Sequence, residues 1–534
     1  MLITEYLHHN VEQFKNKVSL ISERSSVWDS GKLVPTPSQT MTWNQFSQYT
    51  DRIVGHLLEN GIETGSKVAI LMENCILWLP IYLGILKSGA IAVPINYNYS
   101  DNEILYCLNL VDCSALILPV EMKEKVGFLY QKVPSIQYVM LIEEDGNIND
   151  ICQLDSNLRR RLFTISEILI KKEDPAAIYF SSGTTGVPKA VLLSHRSLTS
   201  TAITEQKHHF QTSQDIFLLI PPLYHTGAKM HWLGCLVSGA SAVLLTTPTP
   251  RQILETISNR KVTIAWLLLP WVQDILDAID DGDIVLQDYD LKSWRLTHMG
   301  AQPIPPEIVQ RWHSKFPNQQ FDINYGLTEA GGPGCIHLGI DNIQKPGSIG
   351  KAGYKWEALI VSDEGTPVQN NVVGELIVKG DGVMVEYYKS PEETAKVLRN
   401  GWLFTGDMAY KDEEGFVYLV GRKKDLIISG GENIYPIQIE NFLKTNPAIK
   451  DAAVIGVPNN RLGEIIVAII EIKPGYHCSK SEIKKFCISL PPYKRPYKFI
   501  FGSILRNATG KIQKEKLREQ YLLESTWRKH YNGQ

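Results

Sequence analysis

The sequence predicts an α/β protein: a large N-terminal domain of helix-covered, mainly parallel sheets plus a small β unit, then a small C-terminal α+β domain. Three observations support this. A chain of 534 residues exceeds the length at which one hydrophobic core keeps growing, so two or more packed units are expected. Apolar runs of strand length alternate with segments of helical period, the pattern of parallel strands joined by crossover helices. From Trp356 the texture changes to short strands between turns, and a further small α/β unit begins near Gly421.

In chain order, Thr42 to Asn60 carries apolar residues at helical spacing and stops at Gly61, a normal helix terminator. The strand KVAILM follows. A helix from about Ile76 to Ser88 leads into the strand IAVPI, and a helix around Glu103 leads into SALILPV. Further strands are read at SAVLLTT, TIAWLLLP and WRLTHMG. The short strands of the β unit are EALIVSDEGTPV, GELIVKG and GFVYLVG. Residues 1–421 are assigned to the large domain and 422–534 to the small one. No repeat and no low-complexity tract interrupts them.

Hydrophobic residues make up 44% and charged residues 21%, which excludes wholesale disorder. A formal charge of -3, with scattered Lys and Arg, argues against a nucleic-acid partner. Eight cysteines without a CxxC pair predict reduced thiols in a cytoplasmic protein, with no disulfide framework and no structural zinc. The start MLITEYLHHNVEQF lacks the basic and apolar blocks of a secretory signal. The most apolar run, Ile76 to Val93, contains Pro80 and Lys87 and reads as buried helix plus strand rather than a membrane span. Peripheral membrane contact stays open, as does the choice between monomer and homodimer.

The richest chemistry lies in AAIYFSSGTTGVPKAVLLSH, Ala176 to His195. After a strand, Ser181, Ser182, Gly183, Thr184, Thr185 and Gly186 precede Pro188 and Lys189. Glycines let the backbone approach a polyanion, amides and hydroxyls donate to phosphate oxygens, and one lysine adds a point charge. Val187 and Pro188 separate the second glycine from the lysine, so this is not the Walker A pattern. The alternative is a polar turn between strand and helix.

SSGTTGVPKAV closely resembles the phosphate loop of acyl- and aryl-CoA synthetases, within the adenylate-forming enzymes that also include peptide-synthetase adenylation domains and firefly luciferase. Other segments resemble that family's motifs in order, from about Thr42 to Lys514. INYGLTEAG implies Asn324, Tyr325 and Gly326 at the nucleotide, with the Tyr325 ring against adenine. Thr328 would contact the α-phosphate or the carboxylate, and Glu329 would hold Mg²⁺, which takes hard oxygen ligands. MGAQPIPPE implies Gly300, Ala301 and Gln302 on the adenine side, although the commoner family form has a second glycine and then alanine. WLFTGD implies Asp407 on both ribose hydroxyls. In GRKKDLIISGGENIYP, Arg422 would contact ribose or phosphate, Lys424 sits at the hinge of a mobile C-terminal domain, and Gly430 and Gly431 leave room for pantetheine. The alternative there is a tight Gly-Gly turn. The family usually has glutamate where this chain has Gln438. NATGKIQKEKLR implies Lys511 as the catalytic lysine.

The resemblance thus implies an ATP-dependent ligase with Mg²⁺ and coenzyme A as partners of a small carboxylic acid. A carboxylate offers only an oxide as leaving group. Adenylation replaces it, and the protein's task is to align reactants and neutralise charge. LIPPLYHTGAKMHWLG, Leu219 to Gly234, occupies the place of the acyl pocket, with His225 as its gate. The aspartate of amino-acid-activating relatives has no counterpart in this run. Lys229 and His231 either meet a polar tail or face solvent, and the rarity of buried lysine favours solvent. Fatty acids come first among substrates, with aryl and dicarboxylic acids behind. The alternatives are an acyl-AMP ligase that loads a carrier protein, a luciferase-type oxygenase, and a non-catalytic nucleotide-binding protein.

Overall fold

The computed structural model describes residues 1–23, 27–29, 32–34, 38–143, 146–152, 168–181, 188–302, 304–506 and 512–531. Contacts divide the chain into two compact units, residues 1–358 with 378–403, and residues 359–377 with 404–534.

Two large sheets organise the first unit. Among the described residues, nine strands form one of them, with Gln320–Leu327, Leu296–Gly300, Ile264–Leu268, Ile216–Leu219, Ser241–Leu245 and Val18–Glu23 in that spatial order and parallel. Eight strands form the other, with a parallel centre of Pro175–Ser181, Ile91–Pro94, Lys67–Ile70, Ala115–Pro119 and Tyr138–Ile142. The central strands are buried on both faces, and for that reason they read as continuous Val/Ile/Leu/Ala runs rather than alternating ones.

The helices begin where the sequence supplies caps. Thr42 and Gln45 form a reciprocal capping box at the start of Trp43–Glu59, as Ser100 and Glu103 do for Asp101–Leu110. The apolar run from Ile76 resolves into helix Trp78–Lys87, buried from Trp78 to Leu86, and strand Ile91–Pro94. No helix among the described residues is long and apolar enough to cross a membrane.

After Trp356, short strands form, among the described residues, a five-stranded sheet that includes Glu357–Val361, Gly374–Lys379, Trp402–Lys411 and Val417–Arg422, the last two antiparallel. The C-terminal part of the second unit is a separate sheet of Glu432–Ile434, Ile427–Ser429, Gly463–Ile472 and Ile449–Asn459, with Lys498–Phe501 alongside. Ile439, Leu443, Val454, Ile470 and Phe499 pack its core.

Candidate active site

The strands on either side of the predicted phosphate loop pair with each other. Strand Pro175–Ser181 runs antiparallel to Lys189–Ser194, with Ser181 opposite Lys189. The alternative of a polar turn that leads directly into a helix is overturned here. Residues 190–193 are apolar and buried, so they pair as a strand before helix His195–His208 starts at its Ser194 cap. Ser182, Gly183, Thr184, Thr185 and Gly186 lie outside the described residues, as does Lys511.

Lys189 begins the second of those strands. Its Nζ donates to Glu393 Oε2 at 2.7 Å and sits 4.8 Å from the Tyr387 ring centroid. The Lys189 ammonium, followed by that of Lys396, holds the Glu393 carboxyl down to about 2. The Tyr387 hydroxyl donates to Glu329 Oε1 at 2.9 Å. Burial, then the Glu329 charge, raises the Tyr387 pKa, so the phenol stays a donor. Lys189 and Glu329, far apart in sequence, therefore meet on one aromatic residue. Strand pairing explains this, because Glu386–Tyr387 adds to the outer edge of Lys189–Ser194.

Glu329 and Thr328 lie in the single 3₁₀ turn Thr328–Ala330 that follows strand Gln320–Leu327. Tyr325 and Gly326, both half-buried, end that strand. The backbone at Gly326 passes so close to its neighbour that an added Cβ would lie 2.1 Å from the Gly332 carbonyl oxygen. Asn324 is buried, and its Nδ2 donates to Glu205 Oε1 at 3.1 Å. Gly300 ends the adjacent strand, where a Cβ would lie 2.6 Å from Asn324 Oδ1. Ala301 takes the left-handed conformation at φ 68°, where the commoner family form has glycine, and Gln302 beside it is half-buried.

His225 caps helix Thr226–Ser238. Its Nε2 is buried without a hydrogen-bond partner among the described residues, and desolvation pushes the ring's pKa down to about 4. The solvent-facing expectation for Lys229 and His231 is overturned, since both are buried at 0% and 1% exposure. The helix that carries them is enclosed on all sides, and Lys229 Nζ packs over the Tyr179 and Tyr82 rings at 3.6 and 5.1 Å. Burial pushes the Lys229 pKa well down.

In the second unit, Asp407 and Arg422 are cross-strand partners and form an ion pair at 3.1 Å. Lys424 lies in the short turn Lys423–Asp425 and reaches Glu515 at 3.3 Å. Gly430 and Gly431, at φ 60° and 86°, make the two-residue turn between Ile427–Ser429 and Glu432–Ile434, so the tight-turn reading holds. Gln438 accepts from Lys494 at 2.7 Å. Arg506 and Ile512 form an antiparallel bridge.

Tyr387 and Glu393 are not distinguished by the sequence motifs, since neither has a local signature. Glu205 and His209, with the rings around them, were also missed. Their four-residue spacing on one helical turn was the available signal.

The AMP-binding enzyme family model matches residues 7–388, and the AMP-binding enzyme C-terminal domain matches residues 438–511. The chain is 31% identical over 514 residues to the mitochondrial medium-chain acyl-CoA ligase ACSF2 of Homo sapiens, covering 90% of this chain and 83% of that one. It is 30% identical over 492 residues to the long-chain-fatty-acid–CoA ligase FadD13 of Mycobacterium tuberculosis, covering 91% and 94%. Its fold matches the O-succinylbenzoate coenzyme A synthetase of Bacillus subtilis in complex with ATP and magnesium ion, with a TM-score of 0.80, 26% identity and coverage of 96% and 98%.

Proposed function

We infer, for a chain that belongs to the AMP-binding enzyme family and is an AMP-forming acyl-CoA synthetase, that its acid is a fatty acid of medium to long chain. The enzyme joins a carboxylic acid to ATP as acyl-AMP, releasing pyrophosphate, and then passes the acyl group to coenzyme A, leaving AMP. The observation that carries the site assignment is the meeting of Lys189 and Glu329 on Tyr387, beside the paired strands that flank the Gly/Ser/Thr segment.

In this reading, residues 1–421 supply the acid and ATP sites. Lys189 and the loop donors take the charge of the departing pyrophosphate, and Glu329 supplies the hard oxygen that suits Mg²⁺. Tyr387 holds that carboxylate in place through its hydroxyl. Thr328 meets the α-phosphate or the substrate carboxylate, and His225 gates the acyl pocket. The ring of Tyr325, the strand-end Gly326 and Asn324, and Gly300, Ala301 and Gln302 take the adenine side. Residues 422–534 supply Lys511 for adenylation and Gly430 and Gly431 for the thiol, with Lys424 as the hinge. Asp407 and Arg422 take the ribose, and their ion pair already orients the carboxylate. The unpaired cysteine spacing supports a cytoplasmic location.

One observation favours a second substrate class, dicarboxylic acids: Lys229 Nζ is buried with no hydrogen-bond partner among the described residues. Pyrophosphate release across straight-chain, aryl and dicarboxylic acids, with and without CoA, separates the two. Highest turnover with medium to long straight chains, accelerated by CoA, is expected. A preference for dicarboxylates that is lost in Lys229→Met would replace the fatty acid.

A further inference from the structure

Behind the nucleotide-side strand ends lies a cluster of ionisable groups that the ligase chemistry does not use. Glu205, His209, His231 and His298 are 1%, 1%, 1% and 0% exposed. One ligand atom from each lies within 4.8 Å of all the others. They come from three elements, helix His195–His208 and its C-cap His209, helix Thr226–Ser238, and strand Leu296–Gly300.

Hydrogen bonding alone leaves this cluster incomplete. His231 Nε2 and His298 Nδ1 and Nε2 are buried without a hydrogen-bond partner among the described residues. A buried polar atom left unpaired is costly, so three in one place call for something that engages them together. Glu205 Oε2 is 3.0 Å from His231 Nδ1 and 3.7 Å from His209 Nδ1. A proton on His231 Nδ1 makes the first contact a hydrogen bond, and an ion held by both atoms would take the place of that proton. The ring centroids agree: His209 and His298 are 4.4 Å apart, His231 and His298 4.5 Å, and His209 and His231 6.0 Å.

We propose that Glu205, His209, His231 and His298 form a closed structural site for one divalent first-row transition-metal ion, zinc by its donor set. Three imidazoles and one carboxylate suit Zn²⁺ and do not suit Mg²⁺, which takes oxygen ligands. Four protein donors in a sealed core leave no open position for substrate, so the ion's role is structural. The outer partners are those of a metal site. His209 Nε2 lies 3.3 Å from Asp322 Oδ2, the carboxylate–histidine arrangement that fixes a ligand ring, and Asn324 Nδ2 donates to Glu205 Oε1. Asp322 also receives His337 Nδ1 at 2.8 Å. Glu205 and Asp322 thus bring two carboxylates to the cluster, with the His337 ring against both. Gly334 makes room on one side, because a Cβ there would lie 2.5 Å from Glu205 Oε1.

The expectation of no structural zinc rested on cysteine spacing, and this site uses no cysteine. Its consequence for the ligase is positional. The ion would tie strand Leu296–Gly300 to two helices, while Asp322 ties in strand Gln320–Leu327, which carries Tyr325 and leads to Glu329.

The test is the metal content of the full-length protein, purified without a polyhistidine tag and without chelator, by plasma mass spectrometry. The expected result is about one zinc or other first-row ion per chain, with a melting temperature that falls on chelation and recovers on adding Zn²⁺. His298→Gln and Glu205→Gln should lose the ion, whereas His313→Gln should keep it. Because core variants can fail to fold, X-ray absorption on the wild-type protein supplies an independent readout, with nitrogen- and oxygen-donor ligation including imidazoles expected. Well under one ion per chain, both as purified and after incubation with Zn²⁺ and desalting, overturns the proposal in favour of a buried water or bare network. Sulfur ligation, or an ion retained in folded His298→Gln and Glu205→Gln, also overturns it.

Discussion

Tyr387 brings its hydroxyl to Glu329 and its ring beneath Lys189, so one aromatic side chain supports the candidate groups for the metal and for the phosphates. Removing only the oxygen isolates the first of these contacts. Tyr387→Phe should keep the ring under Lys189 while raising the Mg²⁺ concentration needed for half-maximal pyrophosphate release by roughly tenfold, the scale of an orienting partner's loss. An unchanged Mg²⁺ dependence would separate Tyr387 from the metal site. Lys189, Glu329 and Asp407 were legible in the sequence because each stands inside a short motif whose order matters. Tyr387 and Glu393 were not, because they reach Lys189 through strand pairing between distant segments. Lys229 was misjudged for a different reason. The general exposure of lysine yielded here to an enclosing helix environment and two tyrosine rings.

The strand Gln320–Leu327 and the return strand Gly332–His337 approach most closely at Gly326. A Cβ there would meet backbone atoms on both counts, the Gly332 carbonyl oxygen at 2.1 Å and the Pro333 Cα at 2.6 Å, and no side-chain rotation relieves backbone. Gly326→Ala should therefore destabilise the protein by about 2–3 kcal/mol in urea unfolding. Gly127→Ala, in helix Lys125–Lys132 with nothing within 4 Å of the added carbon, should instead be neutral or stabilising by up to about 1 kcal/mol. Equal effects at the two positions would contradict the close approach. At this scale the buried parallel strands and the first long helix were readable from apolar runs and from the helical spacing that stops at Gly61. The antiparallel partner after the phosphate loop was not, since a short apolar run beside a helix start carries no mark of pairing direction.

The whole molecule buries histidines whose ionisation links its stability to pH. His195 is 1% exposed, and desolvation, opposed by Asp174, sets its pKa down to about 4 against 6.5 in the unfolded chain. Below 6.5 the unfolded state takes up a proton that the folded state refuses until about pH 4. Stability is therefore lost as pH falls through that window, on the order of 3 kcal/mol from this residue. Urea midpoints at pH 7.5 and pH 5 should differ more in the wild-type protein than in His195→Gln. Identical differences would show that His195 does not drive the loss. The division into a large α/β part and a smaller C-terminal α+β part was readable from chain length and the change of texture near Trp356 and Gly421. The histidine-rich core was not, because its members come from separated helices and strands, and only Glu205 and His209 are close enough in sequence to suggest one another.

The most direct test of the chemistry follows the acid's own oxygen. With a fatty acid labelled with ¹⁸O in both carboxylate positions, attack on the α-phosphorus followed by thioester formation must leave one ¹⁸O in AMP, readable by mass spectrometry, with acyl-CoA formed in equal amount. Label in inorganic phosphate alongside ADP, or acyl-CoA formed with unlabelled AMP, would contradict an acyl-adenylate route.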